Sequence, residues 1–347
     1  MQHGLNFRDF KVNFKGFFVA SQHFRVGVLE IEIRHNGVMK AFYSDHFVLP
    51  LPEGHRFPMA KYSMLRERIA RELRGVQLME APAATEGELA LAHSPDYVWA
   101  VKSGSLSPQA QREIGFPWTP AMAERSVRSA GASIAAGRVA MREGIAGNLA
   151  GGTHHASANQ GGGFCVFNDI AVTARVLQME QFRATKQNLQ VLVIDLDVHQ
   201  GNGTAAIFAT DPSVFTLSLH GEKNFPFRKV NSDLDVGLPD GCSDEAYSMA
   251  LENALAQVLQ RFQPQFVIYL AGADAHEGDR LGRLKLTEAG MKQRDLQVFD
   301  WVRALGLPML ICMGGGYGHD LTQTVQVQMN TWQLAMDHWL HWQNRVL

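Results

Sequence analysis

The stretch that decides the fold reads VLVIDLDVHQGNG at positions 191–203, where an apolar run changes abruptly into a polar one. Further apolar runs occupy 214–219, 266–270 and 308–313. Runs that are apolar throughout, with no alternation, are typical of parallel strands buried on both faces. Helical stretches lie between them, so strand and helix alternate along the chain. This order predicts an α/β fold, a three-layer doubly wound parallel sheet with helices on both faces.

The beginning of the chain differs from this regular part. Residues 1–43 are rich in Phe without a clear period, and Asn36-Gly37 is a turn pair typical of a β-hairpin. The alternative interpretation is an over-long start, with Met39 as the natural first residue. We therefore predict an N-terminal extension at 1–43. No Pro/Gly/Ser-rich linker divides 44–347, which we predict to be one catalytic domain.

Charge and composition exclude several classes of function. The 32 Lys and Arg balance 34 Asp and Glu, whereas a nucleic-acid binder usually has a basic excess. The three Cys are a poor disulfide framework and indicate a reducing compartment. No segment has the about 18 consecutive apolar residues of a membrane helix, and none has the pattern of a secretory signal. A cytoplasmic protein without nucleic-acid or membrane partners is expected.

Polar residues follow the predicted strands at their carboxyl ends, where open α/β sheets bind ligands. Asp197 and His199 are two residues apart on extended backbone, so both point to one side, and Asp274 follows another strand. Two carboxylates and one imidazole leave a position open for water, as a catalytic metal site requires. The donor set suits Zn²⁺, with Fe²⁺ as the alternative. In isolation these residues could equally cap a strand end; the polar groups after the other strands favour a metal.

A pair of histidines, His154 and His155, follows another apolar run and two glycines. Beside an activated water, one imidazole can accept its proton and the other can protonate a leaving amine. Asp195 and Asn202 are predicted to hold the two rings, and because only the carboxylate favours a cationic ring, the two basicities should differ. An isolated pair of this kind is more often structural than catalytic.

Aromatic side chains complete the predicted site. Tyr317 follows three glycines at 314–316, and its hydroxyl can donate to the oxyanion of a tetrahedral intermediate. The simpler interpretation is a tight turn with a packed ring. Phe164 and Phe225 are candidate walls for a linear apolar chain, although each taken singly is more often a core residue. Cys165 has no neighbouring base in the sequence, so we interpret it as a packed thiol.

These motifs, in this order and spacing, resemble the histone deacetylase superfamily. The resemblance extends from about residue 44 to the C-terminus, and the residues of its motifs are most similar to those of the class IV branch and its bacterial relatives. The motifs that carry it are GGTHHA at 151–156, GFCVFND at 163–169, DLDVHQGNG at 195–203, GAD at 272–274, EGDRLG at 277–282 and GGY at 315–317.

The resemblance implies the arginase/deacetylase fold and a zinc-dependent amidohydrolase. Its expected substrate is an N-acyl lysine, acetyl or longer, or a similar acylated amine. It implies that a water activated by the metal attacks, with His155 as general base and Tyr317 as oxyanion donor. The implied residues are the catalytic His154, His155, Tyr317, Asp195 and Asn202; the metal ligands Asp197, His199 and Asp274; the tunnel-lining Gly163, Phe164, Phe225 and Leu281; and, around a structural K⁺, Asp195, Asp197, His199, Ser218 and Leu219.

Three alternatives remain open at this stage. One is an amidohydrolase for acetylpolyamines or other small molecules. A second is a two-metal ureohydrolase, which needs carboxylates where this chain has Gly201 and His276. The third is a non-catalytic acyl-binding module, which would lack Tyr317 or the His pair. The chain also departs from many relatives in having no acidic residue at 115–120 to bind the substrate backbone, whereas Lys61 resembles a basic residue of their acetate-release channel.

Overall fold

Eight parallel strands form one sheet in the computed structural model, which describes residues 37–344. The strands are β1 (Met39–Tyr43), β2 (Val76–Glu80), β3 (Ile145–Asn148), β4 (Val191–Asp195), β5 (Val214–Gly221), β6 (Leu234–Leu238), β7 (Phe266–Leu270) and β8 (Met309–Cys312). Their order across the sheet is β2-β1-β3-β8-β7-β4-β5-β6, and every neighbouring pair is parallel. The strands that carry the predicted site therefore lie at the centre of the sheet.

Ten α-helices connect or follow these strands in the described part of the chain. They are α1 (Ala60–Glu72), α2 (Glu86–Leu89), α3 (Pro95–Ser103), α4 (Pro108–Ile114), α5 (Pro120–Glu143), α6 (Asp169–Thr185), α7 (Asn202–Phe208), α8 (Asp244–Arg261), α9 (Glu288–Leu305) and α10 (Leu321–Gln343). A short 3-10 helix, Ala273–Ala275, follows β7. None of the helices within 37–344 combines the length and the apolar character needed to cross a bilayer.

Two hydrophobic cores cover the two faces of the sheet. Because side chains alternate along a strand, Leu192 and Ile194 of β4 pack with α1, α8, α9 and α10. Val191 and Val193 of the same strand pack on the other side with α3, α5 and α6. All five residues of β4 are buried. This is the predicted three-layer α/β fold with helices on both faces.

Local sequence signals explain where the elements begin and end. In α9 the Thr287 hydroxyl accepts a hydrogen bond from the Gly290 N–H at 3.1 Å, which caps the first turn. The same helix ends at Gly306, whose left-handed backbone favours glycine. By contrast, β6 alternates between half-buried and exposed residues up to its buried last residue, Leu238, and therefore has no continuous apolar run.

The predicted boundary after residue 43 lies too far along the chain. Strand β1, Met39–Tyr43, is an inner strand with parallel neighbours on both sides, β2 and β3. It therefore belongs to the central sheet and not to a hairpin of the predicted N-terminal extension. Its burial follows from this position, since Met39 and Ala41 have no exposed surface. The rest of the predicted extension, residues 1–36, lies outside the described residues.

Candidate active site

The carboxyl ends of β3, β8, β7 and β4 lie side by side at one edge of the sheet, and each is followed by polar side chains. Parallel strands bring their carboxyl ends to the same edge, so these loops meet although they are far apart in sequence. The loops carry His154 and His155 after β3, Asp197 and His199 after β4, Asp274 after β7 and Tyr317 after β8.

The three predicted metal ligands form a tight, buried cluster. Asp197, His199 and Asp274 each offer one ligand atom, and these atoms lie within 4.8 Å of one another. Nδ1 of His199 is 2.9 Å from Oδ1 of Asp197 and 3.2 Å from Oδ2 of Asp274. It is the only such group within residues 37–344. Two carboxylates and one imidazole nitrogen are a donor set that Zn²⁺ accepts with a position left open. The residues therefore fit a catalytic divalent metal.

The electrostatics of this cluster favour a positive charge at its centre. Burial and the charge of Asp197 raise the pKa of Asp274, because two neighbouring carboxylates resist ionising together. Burial lowers the pKa of His199, but hydrogen bonds to Asp197 and Asp274 outweigh this effect and raise it to about 10. A proton on His199 thus offsets the charge of one of the two carboxylates, and a divalent cation bound there would offset both.

Two glycines allow the backbone to approach the functional side chains. A β-carbon on Gly315 would lie 1.7 Å from Oδ2 of Asp274, and the Gly315 N–H donates to Oδ2 of Asp197 at 2.7 Å. A β-carbon on Gly163 would lie 2.6 Å from Cδ2 of His155. Neither position leaves room for a side chain, so glycine is required for contact with the site.

The two histidines have different hydrogen-bond partners, as the sequence predicted. Their ring centroids are 4.1 Å apart. Nδ1 of His154 donates to Oδ2 of Asp195 at 2.7 Å, and Nδ1 of His155 donates to Oδ1 of Asn202 at 2.7 Å. Burial lowers the pKa of His154, but the charges of Asp195 and Asp197 outweigh this effect and raise it to about 9. Burial, together with the neighbouring imidazoles, holds the pKa of His155 well below its usual value.

Tyr317 is buried beside this pair, and the backbone around it is firmly held. Its N–H donates to Oδ2 of Asp279 at 2.6 Å, and Nε of Arg280 donates to its carbonyl at 2.7 Å. Nζ of Lys61 lies 5.0 Å from the Tyr317 ring centroid and donates to the carbonyl of Gly316 at 3.1 Å. The sequence reasoning missed the positioning by Asp279 and Arg280, although both lie in the EGDRLG motif at 277–282.

One cavity of about 660 Å³ leads from the surface to this cluster. It is lined by all four predicted tunnel residues, Gly163, Phe164, Phe225 and Leu281, and by His155, His199 and Tyr317. The Phe225 ring lies 4.9 Å from the His155 ring. His276 does not line this cavity; its Nδ1 accepts a hydrogen bond from the Gly278 N–H at 3.1 Å and thereby supports a loop.

The buried thiol of Cys165 contacts the site without chemistry of its own. Burial raises its pKa, and its Sγ donates to the carbonyl of Gly163 at 3.5 Å. A thiol whose pKa is raised in this way has little thiolate, the nucleophilic form. The packed-thiol interpretation therefore agrees with the structure.

The residues predicted to surround a structural K⁺ are adjacent in the structure. Asp195 of β4 pairs in register with Ser218 of β5, and Leu219 is the next residue of that strand. The Asp197 N–H donates to Oδ1 of Asp195 at 3.1 Å, and Oγ of Ser218 lies 3.0 Å from Nδ1 of His220. The binding of K⁺ itself stays a prediction.

A buried carboxylate–imidazole cluster at the carboxyl edge of a doubly wound parallel sheet defines the class, a protein of the arginase/deacetylase fold. The profile of the histone deacetylase domain matches residues 55–332. The chain belongs to the histone deacetylase family. Its relatives in this family are hydrolases, which supports hydrolysis of acylated amines by this chain in general terms.

Relatives of this chain occur in bacteria, plants and animals. It is 43% identical over 284 residues to an uncharacterized protein of Picosynechococcus sp., covering 80% of this chain and 93% of that protein. It is 30% identical over 282 residues to histone deacetylase 2 of Arabidopsis thaliana, covering 76% of this chain and 70% of the relative. It is 32% identical over 286 residues to human histone deacetylase 1, covering 76% of this chain and 56% of that protein.

A solved structure of a histone deacetylase homologue from Aquifex aeolicus has the same fold. It superposes with a TM-score of 0.73 at 25% identity, covering 86% of this chain and 84% of the homologue. The solved HDA15 HD domain superposes with a TM-score of 0.71 at 23% identity, covering 88% of this chain and 95% of that chain, which shows likeness of fold.

Proposed function

We propose that this chain is a metal-dependent deacylase that hydrolyses the amide of an N-acyl lysine, acetyl or longer, or of a similar acylated amine. The observation that carries the proposal is the cluster of ligand atoms of Asp197, His199 and Asp274, within 4.8 Å of one another, beside a cavity that Asp197 and His199 line together with His155 and Tyr317. These three residues would hold Zn²⁺, with Fe²⁺ as the alternative. When bound, such a metal supplies Lewis-acid polarisation of a carbonyl oxygen and makes a water more acidic.

His155 is suited to accept the proton of the attacking water. Its lowered pKa keeps the ring neutral near pH 7, and because Nδ1 donates to Asn202, the lone pair is on Nε2. Once protonated, the same ring is a stronger acid than an ordinary imidazolium, because burial and the neighbouring cations oppose its charge. It can then pass the proton to the departing amine, which completes the acid–base cycle.

Tyr317 and His154 supply positive potential where negative charge develops. The Tyr317 hydroxyl keeps its proton, because burial raises its pKa well above the usual value, so it can donate to the oxyanion. The raised pKa of His154 keeps its ring cationic, 4.1 Å from His155 between ring centroids. Its carboxylate partner Asp195 stabilises that cation and fixes the ring.

The shape of the cavity supports a slender substrate. Phe164 and Phe225 form aromatic walls on the way to His155, as a linear aliphatic chain requires. A second, smaller cavity of about 50 Å³ shares Phe164 with the first, and its lining is mixed, with the apolar Leu49 and Met122 beside the polar Arg125 and Ser129.

Elemental analysis and a substrate screen together test the proposal. The purified protein should contain one equivalent of Zn²⁺ or Fe²⁺, and Asp197→Ala should lose it. Tyr317→Phe should keep the metal while turnover of acyl-lysine peptides falls by a factor of about 10²–10³, as for other oxyanion donors. Tyr43→Phe is the control, since Tyr43 lies on β1 beside Arg66. Full activity of Tyr317→Phe, or unchanged metal content of Asp197→Ala, would contradict the assignment.

A further inference from the structure

The mouth of the catalytic cavity is strongly basic. Among the charged residues that line it, Glu113 is the only acidic one. The basic residues are Arg56, Arg112, Lys223, Arg280 and Arg283, and all five are exposed. The whole chain is close to neutral, with 32 basic and 34 acidic residues, so this concentration of positive charge is local. We call these five residues the basic rim.

Only part of this charge is neutralised by neighbours. Asp240 lies 3.0 Å from Nη1 of Arg283 and 4.0 Å from Nζ of Lys223, so one carboxylate serves two cations. Arg280 binds carbonyl oxygens of Tyr317 and Arg56, which leaves its net charge intact. Within the basic rim, Lys223 and Arg283 therefore share one negative charge, and Arg280 keeps its full positive charge.

Two rim residues remain available for a ligand. Neither Arg56 nor Arg112 forms an ion pair with a carboxylate of residues 37–344. Arg56 precedes α1 and Arg112 lies in the last turn of α4, so separate segments aim cations at one opening. A cleft lined by one sign of charge concentrates ligands of the opposite sign and accelerates their association.

From this arrangement we infer that the basic rim selects acylated amines that carry negative charge at the mouth of the cavity, at the end of the aliphatic chain opposite the scissile amide. The inference rests on the proposed deacylase function and names its substrate class. An acyl-lysine inserted through the cavity leaves its own backbone at the mouth, so residues one or two positions away lie beside the rim, at about 3.3–3.6 Å per residue. Aspartate or glutamate there would be attracted, and lysine or arginine repelled.

The basic rim disfavours acetylpolyamines, whose second amine is cationic. An anionic substrate can come from two sources, an acidic peptide segment or a small acylated amino acid with a free carboxylate. Both share the chemistry that the rim recognises, namely a carboxylate held at the cavity mouth by an aliphatic chain that ends in the acylated nitrogen. The two sources differ in size, and matched substrates separate them.

The test measures kcat/KM of the metal-loaded full chain on two matched sets of substrates. The first set comprises acetyl-lysine peptides that differ only in having Glu, Gln or Lys on both sides of the modified residue. The second pairs acetamidopentanoate with N-acetylputrescine, which have the same acetamide on a four-carbon chain ending in a carboxylate or an ammonium. We expect the anionic member to exceed the cationic member about tenfold or more at low salt.

The salt dependence of the substrate preference, together with charge-reversal variants, shows whether the basic rim causes that preference. The preference should shrink toward unity near 1 M salt, where the Debye length is about 3 Å. Arg56→Glu combined with Arg112→Glu should reverse the order of the Glu and Lys peptides. The control is Arg74→Glu combined with Arg142→Glu, which changes the net charge by the same amount. Arg74 lies just before β2 and Arg142 just before β3, at the edge of the sheet opposite the cavity.

The outcomes are distinguishable. If the acidic peptide alone is preferred, the source is a protein segment; if acetamidopentanoate is preferred as well, small acids are included, and both results support the inference. Equal kcat/KM across each set, with hydrolysis present, overturns it and leaves the deacylase function standing. Absence of hydrolysis of every substrate refutes the deacylase function itself. The inference is also overturned if the protein sediments with anionic vesicles and shows no substrate preference. In that case the basic rim, with Phe227 beside it 88% exposed, would bind a membrane surface instead of a substrate.

Discussion

Replacing Gly315 with alanine should weaken metal binding strongly through steric displacement of one ligand. The new methyl carbon would lie 1.7 Å from Oδ2 of Asp274 and 2.9 Å from Oδ2 of Asp197. An ordinary contact needs about 3.5 Å, so the Asp274 carboxylate must move by about 1.5–2 Å. Metal–ligand distances tolerate only about 0.2 Å. Because disturbing a residue behind a ligand already costs about 10–100-fold in metal affinity, displacing the ligand itself should cost about 100-fold or more.

Metal content after dialysis against graded chelator, beside a thermal melt by circular dichroism, measures this effect. The matched control is Gly87→Ala, because Gly87 is exposed in α2 and a β-carbon there meets nothing within 4 Å. Neither glycine has a left-handed backbone, so backbone strain does not distinguish the two variants. If Gly315→Ala does not fold, Asp274→Asn keeps the shape and removes the charge. A folded Gly315→Ala protein with wild-type metal affinity would refute the reasoning.

Two further variants test the electrostatics of the site and of its support. Asn202→Asp places a carboxylate 2.7 Å from Nδ1 of His155 and should raise the pKa of that ring, so the acidic limb of kcat/KM moves to higher pH by about one unit or more. A pH–rate profile unchanged from wild type would contradict the role of His155 as the base. Arg294→Met leaves Asp295 buried without its cation and removes the hydrogen bond to the Gly272 carbonyl at 2.6 Å. Urea unfolding should show a loss of about 3–5 kcal/mol; a loss under about 1 kcal/mol would be inconsistent with this account.

The sequence predicts the centre of the molecule well because burial on both faces leaves a clear mark. The run at 266–270 is β7 in the structure, and the run at 191–196 contains β4; both strands face helix layers on both sides, so their residues are mostly apolar until β4 ends in Asp195. The ligand cluster follows from the same reasoning. Asp197 and His199 come directly after β4, and Asp274 comes after β7, its neighbour in the sheet.

Features that depend on distant contacts leave no such mark. Strand β1 is so short that its sequence does not distinguish a strand of the central sheet from a strand of a hairpin. Only its pairing with β2 and β3 places it inside the sheet. The basic rim is equally hidden, because Arg56 and Arg112 approach one opening only after the chain has folded. Substrate charge preference therefore belongs to the tertiary structure and not to any single motif.

The ligands of the candidate metal centre leave the ribosome at different times. His199 and Asp274 are 75 residues apart, although the strands that carry them are neighbours. At about 5–20 residues per second, the nascent polypeptide would display an incomplete coordination sphere for about 4–15 seconds. The cation can thus be captured tightly only after translation has passed β7. Chelator resistance of stalled nascent chains of increasing length should appear abruptly once that strand has emerged.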